Sequence, residues 1–135
     1  MRTVFVDSNV FLRLFTSDDA RQHEKAAALF RRAAEGKVAL VTGPPVLFEV
    51  AWTLRASYDF PREKILDILS AICAFQGLRL LDANLAAEAV ALAKRSGVHF
   101  ADAYIVAAAL ATGADEIASF NRAHFERLAA KLTDF

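Results

Sequence analysis

Apolar residues recur along this chain in two alternating rhythms. Short runs of β-type residues, TVFV at 3–6, VALVT at 38–42, LRLL at 78–81 and EIAS at 116–119, read as buried strands. Each run is followed by a longer stretch with helical spacing. After the first comes NVFLRLF, then Asp19 with Gln22 three residues on, a capping box that opens a helix running to about Ala34 and stopping before Gly36. PPVLFEVAWTLRAS (44–57) and PREKILDILSAICAF (61–75) both begin with proline, which suits a first helical turn, and they are expected to pack as a helical hairpin. NLAAEAVALAKR (84–95) closes at Gly97, FADAYIVAAALAT (100–112) closes at Gly113, and RAHFERLAA (122–130) forms the last helix. Strand followed by helix throughout predicts an α/β domain whose mainly parallel sheet is covered on both faces. In such sheets the ligand crevice lies outside the carboxyl ends of the strands, and Asp7 stands directly after the first one.

Length and composition narrow the class. A chain of 135 residues without a Gly/Ser/Pro linker or internal repeat reads as one domain, 1–135. Basic and acidic residues balance at 16 each, so nucleic-acid contact would need a local patch rather than a general positive charge. The single cysteine, Cys73, offers no disulfide framework and points to a reducing, cytoplasmic setting. The alanine-rich stretch at 100–114 is interrupted by Asp102 and is short for a membrane span, so no membrane is expected as a partner.

Three carboxylates stand as the only charge in long apolar surroundings: Asp7 in VFVDSNVFLRLF, Glu49 in PPVLFEVAWTL and Asp102 in VHFADAYIVAAALA. Burying a lone carboxylate demands a cation or hydrogen-bond donors, and the nearest cations, Arg13 and Arg55, each follow an acid by six residues. Singly, each acid has an ordinary reading. Asp7 suits an Asx turn or helix cap, Glu49 a capping or solvent-reaching acid, and Asp102 the dipole at a helix start. Together they are what the oxygen donor set of a hard divalent cation such as Mg²⁺ or Mn²⁺ would require. A pair of such ions hydrolyses phosphodiesters without a nucleophilic Ser or Cys.

On these residues the chain resembles the PIN-domain ribonucleases, in particular the VapC-type toxins of bacterial and archaeal toxin–antitoxin pairs. VFVDSNVFLRLF, the Glu in PPVLFEVAWTL and FADAYIVAAALATGADEIASFNRAHFERL carry the likeness, which spans essentially the whole chain. It implies a three-layer, PIN-like α/β domain with a mainly parallel four- to five-stranded sheet flanked by helices. It also implies a Mg²⁺- or Mn²⁺-dependent endoribonuclease that prefers single-stranded RNA, acts as a homodimer and is blocked by a small antitoxin. By position, Asp7, Glu49 and Asp102 match the catalytic, metal-binding acids. Ser8 and Asn9 match the polar residues after the first acid, and Ser119 the hydroxyl near the end of the last core strand.

The sequence departs from the family pattern at Asn121, a position that often carries a fourth acid. Glu126 is the acid that would reach in instead, though it reads first as a solvated helix-face residue. Arg13 and Arg122, with Arg55 and Arg127 behind them, are the cations expected to meet RNA phosphates, and Phe11, Phe15, Phe48 and Trp52 suit base stacking, a core or a partner groove. His99, close to Asp102, is the histidine considered for orienting a carboxylate. The competing function is a catalytically weakened PIN-fold module that binds RNA or protein, supported by Asn121. A receiver-like or dehalogenase-like phosphate domain also places Asp after its first strand, but the second acid and the lysine it requires are missing here.

Overall fold

In the computed structural model, residues 1–128 and 130–135 are described. The chain divides into two compact units, Met1–Ala83 and Asn84–Phe135. The first unit runs β1 (Thr3–Phe5), α1 (Ser8–Phe15), α2 (Ala20–Ala34), β2 (Ala39–Thr42), α3 (Pro44–Ala56), α4 (Arg62–Ala74) and β3 (Leu78–Leu80). Its strands form a three-stranded sheet in the order β1-β2-β3, parallel throughout. Register is set by Val4 opposite Leu40 and by Leu40 opposite Leu78.

Helices cover this sheet because their apolar positions recur on one side. Phe11 and Leu12 of α1, Leu47, Val50 and Leu54 of α3, and Ile65, Leu66, Leu69 and Ile72 of α4 are all buried. Phe30 of α2 bridges two parts of this core, with its ring centroid 5.5 Å from that of Phe11 and 5.0 Å from that of Phe75. The expected local signals hold. Asp19 caps α2 by accepting the Gln22 amide at 3.0 Å, and Pro44 and Pro45 occupy the first turn of α3. Cys73 sits half-buried on α4 as a free thiol, and burial pushes its pKa up.

The second unit carries α5 (Ala83–Ser96, starting at the boundary), α6 (Phe100–Thr112) and α7 (Arg122–Glu126). α6 ends on Gly113 in the left-handed region, where amides from Gly113 and Ala114 satisfy the carbonyls of Leu110 and Ala109. Two expectations change here. The run at 116–119, expected as a fourth strand, carries a single parallel bridge from Ile117 to Leu132, so the sheet among the described residues has three strands rather than four or five. The last helix is α7 alone, five residues long, while position 129 of the expected 122–130 helix lies outside the described residues. A one-residue bridge is what remains when a short apolar run meets a partner segment for only one pair of hydrogen bonds, Ile117 N–H to Lys131 at 2.8 Å and Thr133 N–H to Ile117 at 3.0 Å. Among the described residues no helix is long and apolar enough to cross a membrane.

Candidate active site

Asp7 leaves the sheet at the point where the ladder ends. Val6 is buried and its amide still donates to Val41 at 2.8 Å, after which Asp7 turns the chain into α1 with an extended backbone (φ −81°, ψ 164°). Its Oδ1 accepts the Ser8 amide at 2.7 Å, and the buried Ser8 hydroxyl lies 3.5 Å from the same oxygen. Asp7 is therefore a helix cap. The cap uses only Oδ1, so Oδ2 carries no protein donor among the described residues, and the capping role and the ligand role do not compete. Asn9 is exposed on the first turn of α1 and lines a cavity of about 510 Å³ with Arg13, Gln22 and Lys25.

Glu49 projects from the outer side of α3. The helix buries Val46, Leu47, Val50 and Leu54, which leaves Glu49 exposed, with Trp52 one turn further along at 68% exposure. The burial anticipated from its apolar neighbours is thus absent for Glu49, as it is for Asp7: both acids face solvent, and Trp52 and Phe5 near them are exposed as well. No lysine or arginine among the described residues pairs with either acid. Of the expected aromatics, Phe11 is core, Phe15 and Phe48 are half-buried, and Trp52 is open.

Arg13 has a local role of its own. Its guanidinium donates to Gln22 Oε1 at 2.6 Å, to both Asp18 oxygens at 3.1 and 3.2 Å, and to the Tyr58 hydroxyl at 3.1 Å. The Tyr58 hydroxyl in turn donates to Asp18 at 2.7 Å. Bonding to Tyr58, reinforced by Asp18, raises the Arg13 pKa, and bonding from Tyr58, then from Thr16 and Arg13, holds the Asp18 carboxyl below its ordinary value.

In the second unit Asp102 occupies the first turn of α6 and is half-buried, with His124 Nδ1 of α7 3.4 Å from its Oδ2. His124 was not expected at the site. It lies far from Asp102 in sequence, and the only local signal was its position one turn after Asn121, whose carbonyl accepts the His124 amide at 3.3 Å. Ser119 Oγ accepts the Asn121 amide at 3.0 Å, so this hydroxyl fixes the backbone just before α7. Arg122 reaches back to the Thr133 carbonyl at 3.3 Å and lies 3.9 Å from Asp134. Glu126 is exposed, Glu116 pairs with Lys131 at 3.5 Å, and the Arg127 guanidinium donates to the Gly97 carbonyl at 3.4 Å.

Of the three acids, Asp7 and Glu49 belong to the first unit and Asp102 to the second. Among the described residues, no three His, Cys, Asp or Glu side chains are gathered closely enough to hold a metal by themselves. The donor chemistry nevertheless suits a hard divalent cation. Asp7 and Glu49 are exposed carboxylates that pair with no side-chain cation among the described residues, and an ion such as Mg²⁺ or Mn²⁺ completes its shell with several waters.

A family profile described as PIN domain matches residues 4–131. No curated protein matches the chain.

Proposed function

The chain belongs to the PIN-domain family, a nuclease fold that is generally metal-dependent, and from that premise we propose that it is an endoribonuclease that hydrolyses RNA phosphodiester bonds with Mg²⁺ or Mn²⁺. The match across 4–131 supports reading both units as parts of one PIN domain. The observation that carries the reading is Asp7: a carboxylate just past the carboxyl end of a parallel strand, with one oxygen held by the Ser8 amide and the other without a protein donor among the described residues.

Asp7, Glu49 and Asp102 are the residues that would hold the ion. Bound there, it supplies water activation and charge stabilisation at the phosphate. Ser8 orients Asp7 through its backbone amide, and Ser119 orients Asn121, whose amide side chain donates to a phosphate oxygen or a water. Arg122, exposed beside Asn121, meets the RNA backbone, and Asn9 and Arg13 line the cavity next to the first acid. A role as the toxin of a toxin–antitoxin pair follows from the resemblance of the three motifs, and a cytoplasmic setting from the lone Cys73. Trp52, an open aromatic one turn from Glu49, supports a face that a second copy or a small antitoxin protein covers.

One test is decisive. Purified protein is incubated with single-stranded RNA in Mg²⁺ or Mn²⁺, with and without EDTA, alongside Glu49→Gln. Cleavage that EDTA and Glu49→Gln both abolish supports the reading, and cleavage that survives chelation overturns it. Asn121, a neutral amide where an acid often stands, favours a second reading: a PIN-fold module that holds RNA or a partner without cutting. RNA binding with no cleavage in either metal selects that alternative.

A further inference from the structure

His124 is a nitrogen donor placed where the acidic set lacks a member. Asn121 and His124 sit one turn apart at the start of α7, and the imidazole, 56% exposed at its side chain, turns its Nδ1 toward Asp102 Oδ2 at 3.4 Å. That separation is long for a charge-assisted hydrogen bond, which is about 2.7–2.9 Å. It is close to the spacing of two donors on one octahedral ion. With bonds of about 2.1 Å, neighbouring ligand atoms stand roughly 3.0 Å apart at octahedral angles, so a shift of a few tenths of an ångström by the exposed imidazole brings both atoms into one shell. The imidazole makes no other hydrogen bond or ion pair among the described residues, so no competing bond has to break.

We propose that His124 Nδ1 and Asp102 Oδ2 are adjacent ligands of one divalent ion, and that the imidazole makes this protein select Mn²⁺ over Mg²⁺. The inference rests on the metal-dependent reading above and adds a ligand to it. Chemistry gives the direction of selectivity. Mg²⁺ takes oxygen donors almost exclusively, whereas imidazole nitrogen is a good ligand for first-row transition ions. A neutral nitrogen at this place restores a donor without restoring the charge that Asn121 lacks. The preference therefore moves from the hardest ion toward the one that accepts nitrogen.

The experiment compares the full chain with His124→Ala and Asp102→Asn, titrating Mn²⁺ and Mg²⁺ separately by calorimetry and recording the electron spin echo of bound Mn²⁺. The parent should bind Mn²⁺ more tightly and show modulation from a directly bonded imidazole ¹⁴N. His124→Ala should lose that modulation and about tenfold or more of its Mn²⁺ affinity, with Mg²⁺ affinity little changed. Because His124 is exposed, its thermal unfolding should match that of the parent. An unchanged Mn²⁺ to Mg²⁺ ratio, or equal losses for both ions, would show that the ring at most steadies Asp102 and overturns the proposal while leaving the metal-dependent reading intact. A parent that binds neither ion overturns both.

Discussion

Thr42 Oγ1 donates a 2.9 Å hydrogen bond to the carbonyl oxygen of Val6, so the residue just before Asp7 is tied to β2 through both its backbone polar groups. Thr42 is almost wholly buried, and no water can replace this donor cheaply. Thr42→Val keeps the shape and removes only the hydroxyl. It should cost about 1–3 kcal/mol in denaturant unfolding, the penalty of leaving a buried acceptor unmade. A loss below about 0.5 kcal/mol would mean that the bond does not anchor the Asp7 turn.

Two glycines with positive φ separate backbone strain from crowding. Gly36 has φ +76° and open space where a Cβ would go, whereas Gly77, φ +98°, would place a Cβ 2.7 Å from the carbonyl oxygen of Ala33. Gly36→Ala should therefore cost about 1–2 kcal/mol, the left-handed strain alone. Gly77→Ala adds a clash with backbone that cannot rotate away, at the entry to β3, and should cost clearly more. Chemical denaturation of the two variants side by side checks the order, and equal losses would mean that α2 gives way to let β3 in.

Local chemistry made much of this fold legible in advance. The Asp19–Gln22 cap, the prolines opening α3 and the glycine ending α6 each depend on residues within one turn, and each forms as expected. Pairing with distant segments was less legible. The run at 116–119 has the composition of a strand but meets Leu132 at one bridge, and no short window reports how far two segments run together. Side-chain partners are less legible in the same way: Arg13 reads as a cation for phosphate although Asp18, five residues on, and Tyr58, 45 residues on, both hold it, and His124 carries no expectation because nothing near it in sequence names Asp102. The isolation of Asp7 and Glu49 was real, but it implied burial wrongly. A helix with a clean apolar face turns a lone acid outward.

The Asp18–Tyr58–Arg13 triad makes a pH prediction whose sign is fixed. Asp18 has its carboxyl held below the ordinary 3.8, chiefly by the Tyr58 hydroxyl, so the unfolded chain takes up its proton first. The stabilisation from this ionised group is complete above about pH 5 and fades as pH falls through the unfolded and then the folded-state value. Tyr58→Phe removes the leading cause. The melting-temperature gap between the parent and Tyr58→Phe should be widest near pH 5 to 6 and should narrow toward pH 2. A gap that is constant, or that widens in acid, would show that Tyr58 stabilises the protein through its ring alone.

Asp7 combines two roles on two oxygens, and substitutions can part them. Oδ1 caps α1 through the Ser8 amide, while Oδ2 accepts no hydrogen bond among the described residues. Asn caps about as well as Asp, so Asp7→Asn keeps an oxygen for the Ser8 amide and should unfold within about 0.5 kcal/mol of the parent. It loses the negative charge, however, and the metal affinity and RNA cleavage that depend on that charge should fall to background. Asp7→Ala loses the cap as well and should cost about 1 kcal/mol beyond the Asn variant. Denaturant curves and Mn²⁺ titrations of both proteins give the comparison. If Asp7→Asn kept metal affinity and cleavage, the carboxylate would be a helix cap and nothing more, and the site would have to be built around Glu49 and Asp102.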